Sequence, residues 1–95
     1  MAPDAESHDG FLGGRVHLHQ PRGGHKAGLD AAFLQAAIPD EASGHLIEFG
    51  AGCGAVALAA AARAPALRVT GVEREPVMFA LANRALADSH NARFA

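Results

Sequence analysis

The sequence has no tryptophan, no tyrosine and a single cysteine, and none of its five prolines stands next to another. Without a second cysteine no internal disulfide can form, which fits a reducing compartment and leaves packing to hold the fold. The start lacks the basic segment and apolar stretch of a secretory signal, which points to the cytoplasm. The alanine-rich run over residues 55–62 is too short to span a bilayer. A formal charge of −2 removes any global electrostatic case for nucleic acid or a membrane surface, so RNA contact would need a local patch. What remains is a globular composition, 49% hydrophobic over 95 residues. That is one domain at most, since domains run to about 100–200 residues, and its core is small.

Residues 1–10 are polar and acidic, without periodicity, and read as a disordered leader. "FLGGRVHLHQP" predicts a hairpin around Gly13 and Gly14, and Arg22 to His25 a loop. In "GLDAAFLQAAI", Leu29, Phe33, Ala36 and Ala37 recur at helical spacing before Pro39 closes the helix. Residues 46–49 form a mostly apolar strand of the kind buried in a parallel sheet. A glycine loop follows, then a helix over 55–63 stopped by Pro65, and a strand over 67–72. Pro76 opens another helix, where its missing N–H costs little, with Val77, Leu81 and Ala85 as buried stripe and Met78 and Ala82 beside it. Asp88 to Asn91 ends that helix, and Ala92-Arg93-Phe94 reads as the start of a third strand. Hairpin, helix, then βαβα is the opening half of a doubly wound α/β domain.

The glycine loop is where chemistry enters. A strand, a glycine turn and a helix N-terminus let backbone N–H groups approach a ligand closely. Gly50-x-Gly52-x-x-Ala55 satisfies the dinucleotide pattern, which keeps an NAD(P)-binding oxidoreductase open. Glu48, two residues before the first glycine, argues against a pyrophosphate. Two like charges about 4 Å apart repel by roughly 4 kcal/mol at an effective dielectric near 20. Glu73 ends the next strand in "VEREP", where an acid can accept hydrogen bonds from ribose hydroxyls. The plainer reading makes both acids exposed strand-end charges and the glycines an ordinary turn. Cys53 sits beside a helix N-terminus, which tends to lower a thiol pKa, but with no base nearby in sequence it reads as a small loop residue.

Glu48-x-Gly50-x-Gly52-x-Gly54 resembles the first motif of the class I S-adenosylmethionine-dependent methyltransferases. "HKAGLDAAFL", "LIEFGAGCGAVALA" and "VEREP", in that order, resemble the tRNA1(Val) adenine-N6-methyltransferase group over its N-terminal part. The resemblance implies a Rossmann-like class I methyltransferase fold, here its N-terminal half and incomplete. Residues 11–44 would be the N-terminal hairpin and helix, and 45–95 the cofactor-binding βαβα half. The cofactor would be S-adenosylmethionine, whose cationic ammonium and sulfonium favour a nearby carboxylate. Glu48, Phe49, Gly50, Gly52 and Gly54 would hold its methionine end and Glu73 the ribose. Arg74 would flank the adenine, and Lys26 and Asp30 would close the pocket. One departure is Glu48, where the family commonly has aspartate.

The implied reaction is in-line methyl transfer to an adenine N6, in tRNA or another RNA, by positioning and electrostatics. Protein-glutamine and guanine acceptors stay open. Arg15, Arg22 and Lys26 make the N-terminal third locally basic, which suits RNA phosphates or simply a solvated face. His17 and His19 alternate on one strand face without a third metal ligand nearby, so no metal is expected. The family's Asn/Asp-Pro-Pro-aromatic motif, which orients the target amine, is absent, so no catalytic residue is assigned. The expectation is the first part of a longer enzyme, with a non-catalytic cofactor- or partner-binding module as the alternative.

Overall fold

The computed structural model describes residues 6–23, 26–88 and 91. Its elements are β1 (Glu6–Phe11), β2 (Val16–Pro21), α1 (Leu29–Ala36), β3 (Gly44–Phe49), α2 (Ala55–Arg63), β4 (Leu67–Val72) and α3 (Pro76–Ala87). The order is the expected one. β1 and β2 form an antiparallel hairpin, with His8 opposite His19 and Phe11 opposite Val16. β3 and β4 pair in parallel, Gly44 opposite Leu67 through Phe49 opposite Val72, with α2 as the crossover. Among the described residues β3 pairs with β4 alone. The third strand expected at 92–94 lies outside the described residues, as do residues 1–5 of the expected leader. Among the described residues no helix is long and apolar enough to cross a membrane.

The core is not a sheet sandwiched by helices. Val16 and Leu18 of β2 meet Ala55 and Leu58 of α2, Leu81 and Ala85 of α3, and Cys53 of the glycine loop. The hairpin therefore covers the two later helices. Asn91 fastens this arrangement. It is fully buried, its Oδ1 accepts from the His17 N–H at 3.0 Å, and its Nδ2 donates to the carbonyls of His17 and Ala85. One side chain thus satisfies polar backbone on both β2 and α3, where an unpaired buried group would cost about 1–3 kcal/mol.

Four expectations need correction. The strand over 46–49 is not buried on both faces, since Ile47 and Phe49 are 50% and 80% exposed. Residues 6–10 are strand, not leader. Their polar groups are paired inside the hairpin, Glu6 with His19 and Ser7 with Asp9, so polarity there marks a network and not disorder. In α1 the expected apolar stripe is exposed, with Leu29 and Phe33 about two-thirds or more in solvent. The face turned inward carries Ala31 and Gln35, because Arg63 of α2 grips the helix end. Its guanidinium donates to the Gln35 carbonyl and Oε1, the Ile38 carbonyl and the Asp40 carboxylate. In α3, Leu81 and Ala85 are buried as expected but Val77 is exposed. Glu75 precedes the helix, and its carboxylate accepts from the Met78 N–H at 2.9 Å, satisfying one of the free first-turn donors.

Candidate functional site

The loop over residues 50–54 joins β3 to α2. Gly50, Gly52 and Gly54 all have positive φ, at 75°, 60° and 94°. A side chain in that region costs roughly 1–2 kcal/mol per residue, so three glycines in alternation are what this path requires. The path itself is set by β4. The Val72 carbonyl accepts from both Gly50 N–H (2.8 Å) and Ala51 N–H (3.0 Å). Glu73 continues the anchoring, its Oε1 accepting from Gly52 N–H at 2.8 Å and its Oε2 from Glu75 N–H at 2.9 Å. These N–H groups of Glu75 and Gly52 hold the Glu73 carboxyl below the usual glutamate range.

A fourth glycine, Gly71, went unread in the sequence. Its φ is ordinary, but a Cβ there would lie 2.9 Å from the Ala51 Cβ. It lets β4 lie against the glycine loop. Gly71→Ala is expected to lower stability by about 1–3 kcal/mol, the usual cost of forcing atoms into a packed site. Urea denaturation checks this, and unchanged stability would mean the loop yields freely.

Glu48 lies on the half-buried face of β3 with Leu46, while His45, Ile47 and Phe49 face solvent. Its Oε1 is buried and, among the described residues, has no hydrogen-bond partner. Burial pushes the Glu48 carboxyl above the ordinary glutamate value, and the N–H of Ala57 in the first turn of α2 offsets this only in part. A buried acceptor left unmade costs about 1–3 kcal/mol. Glu48 is thus a half-buried acid whose Oε1 no described residue pairs.

That acid borders a cleft of about 370 Å³, within the range of about 300–1,000 Å³ usual for small-molecule sites. Asp30, Ala31 and Leu34 of α1 form one wall, and Glu48, Phe49, Gly50 and Gly52 the floor. Five of the expected residues therefore come together: Asp30, Glu48, Phe49, Gly50 and Gly52. Gly54 and Glu73 instead border a second hollow of about 440 Å³ between α2, β4 and α3, lined mainly by apolar groups such as Leu58, Val69 and Phe79. Arg74 is exposed and borders neither. Lys26 reaches away from the cleft, its Nζ donating to Ser7 Oγ at 3.1 Å and lying 3.8 Å from Asp9. It belongs to a hairpin network in which Gln20 Oε1 accepts from the N–H of Ala27, another cleft residue.

Cys53 also borders the cleft, but the expected pull of the helix end does not win. Burial raises its thiol pKa, so it packs as a small neutral residue.

A cleft with Glu48 in its floor and Asp30 in its wall suits a small cationic ligand. A family model, described as the methyltransferase small domain, matches residues 25–94 of the chain. No curated protein and no solved structure matches.

Proposed function

The chain belongs to the methyltransferase small domain family, and on that premise we propose that it forms the S-adenosylmethionine-binding part of an enzyme that methylates an adenine N6 in tRNA or another nucleic acid. The observation that carries the cofactor assignment is Glu48 at the floor of the cleft, a carboxylate whose buried Oε1 has no partner among the described residues. An ammonium is the partner it lacks. A phosphate there would meet the same charge with repulsion. The fit extends to the loop, where a Cβ at Gly50 would meet open space, so the backbone there is bare for close approach.

When bound, S-adenosylmethionine supplies a methyl group activated by its sulfonium. The residues of this chain bind and orient it. Glu48 receives the cationic methionine end, and Asp30 adds a second carboxylate from α1. Glu73 keeps the loop in its path through the Gly52 N–H, and its role toward the ribose hydroxyls is proposed from the resemblance alone. The acceptor, an adenine in RNA, is proposed from the resemblance of the three sequence blocks. The Asn/Asp-Pro-Pro-aromatic motif that orients the acceptor amine in the resembled group does not occur in these 95 residues.

Calorimetric titration with S-adenosylhomocysteine and, separately, with NADH tests the assignment. S-adenosylhomocysteine should bind more tightly. Its affinity should also rise with pH. Glu48 must lose its proton to meet an ammonium, and its raised value moves that loss above the ordinary glutamate range. Below that range binding weakens; above it the curve levels. Tighter binding of NADH would overturn the reading.

A further inference from the structure

The described cluster with the densest set of metal-ligating atoms lies away from the cleft, where β1, β2 and the end of α3 meet. Glu6 and His8 alternate on β1, and His19 stands opposite His8 on β2. Glu6 Oε2 is 2.8 Å from His19 Nδ1 and 3.2 Å from His8 Nε2, and the two imidazole rings lie 4.1 Å apart. The three ligand atoms fall within 4.8 Å of one another.

We propose that Glu6, His8 and His19 form a binding site for a divalent transition metal of the zinc class. Zinc takes nitrogen and carboxylate oxygen at about 2.0–2.2 Å, which puts tetrahedral ligand atoms about 3.4 Å apart. Two of the three separations already lie near that value, and a small turn of the exposed His8 ring closes the third. Imidazole nitrogen excludes magnesium and calcium, which take oxygen.

The surroundings match what a metal-bound histidine needs. His19 offers Nδ1 to the cluster, and its Nε2 stands 2.9 Å from the Asp88 carboxylate. A ligating imidazole commonly donates its second N–H to a carboxylate, which fixes the tautomer and strengthens the ligand. Glu6 is likewise held. Arg84 takes its Oε1, leaving Oε2 for the cluster. Three protein ligands leave the fourth position to water, on the solvent side where His8 is exposed. Binding needs both ligating nitrogens, His19 Nδ1 and His8 Nε2, free of protons. The pair weighed from the sequence, His17 and His19, is not the one the fold assembles.

The test uses the full 95-residue chain, freed of metal by a chelator and dialysis, then titrated with zinc or with cobalt as a coloured substitute. One metal per chain is expected, with a tetrahedral cobalt spectrum and a raised melting temperature. His8→Ala removes an exposed ligand without disturbing the core and should weaken zinc at least about 10-fold, the lower end for losing even an outer support. His45→Ala, at an exposed histidine on β3, should bind as the parent does. Circular dichroism confirms that each variant is folded. Absence of zinc binding, or equal binding by His8→Ala and the parent, would overturn the proposal.

Discussion

Glu48→Gln is expected to weaken S-adenosylhomocysteine binding by about 10–150-fold while leaving the free chain as stable as the parent or more so. The binding loss follows from one charge-assisted hydrogen bond, worth about 1.5–3 kcal/mol, at about 1.4 kcal/mol per tenfold. The stability result follows from the raised pKa. A carboxyl whose value is raised by burial contributes stability below its ordinary value and loses it as pH rises through the folded value. At pH above its folded value Glu48 is a charged group held where it is disfavoured, and an amide relieves that. Few other roles pair these two signs, since an acid kept for structure would lose stability on replacement. Calorimetry and urea denaturation on one preparation decide it. Unchanged affinity would remove Glu48 from the site.

Leu18→Ala should cost about 2–5 kcal/mol in unfolding free energy, out of a total of about 5–15 for a domain. Leu18 is 1% exposed and is the bulkiest of the fully buried side chains. It sits in the one cluster that joins the hairpin to α2 and α3. Neighbours fixed in helices cannot close around the void, which is why the upper part of that range is expected. Ile47→Ala, at a half-exposed position on β3, should cost much less. Equal losses at the two positions would mean that the hairpin does not close the core.

The pH behaviour of the free chain adds a contrast between the two acids. Glu73 has a lowered value, so the stability it contributes is present above the ordinary glutamate range and is lost as pH falls through its folded value. Glu48 acts in the opposite sense.

The parts of the fold legible in the sequence are those where one local rule dominates. α2 runs from Ala55 to Arg63 and β4 from Leu67 to Val72 because alanine runs, Pro65 and apolar alternation each act over a few residues. The glycine loop was legible for the same reason, since its spacing encodes left-handed backbone. β1 was not, because Glu6 and Ser7 read as solvated until their partners His19 and Gln20 arrive from the other strand. The exposure of Leu29 and Phe33 was illegible too. Their spacing is helical, but what turns α1 is a guanidinium 28 residues away in sequence from Gln35. Gly71 escaped notice because its need is a neighbour's methyl group, Ala51. In the cleft, Glu48, Phe49, Gly50 and Gly52 come from one continuous stretch and so lie together. The position of Lys26 depends on Ser7 and Asp9, which the sequence places in a leader.

The shared carbonyl of Val72 has a consequence for folding order. The glycine loop owes its first two hydrogen bonds to a strand end more than twenty residues later in the chain. No fragment ending before β4 can hold that shape, and closing a connection of this length costs entropy before any contact repays it. The ligand cradle is therefore a product of parallel pairing and disappears with it. A molecule that fits only the finished cradle binds the native state alone, so each tenfold excess over its dissociation constant adds about 1.4 kcal/mol to the stability of the β3–β4 pair. Occupancy of the site and integrity of the small sheet are one equilibrium observed at two places.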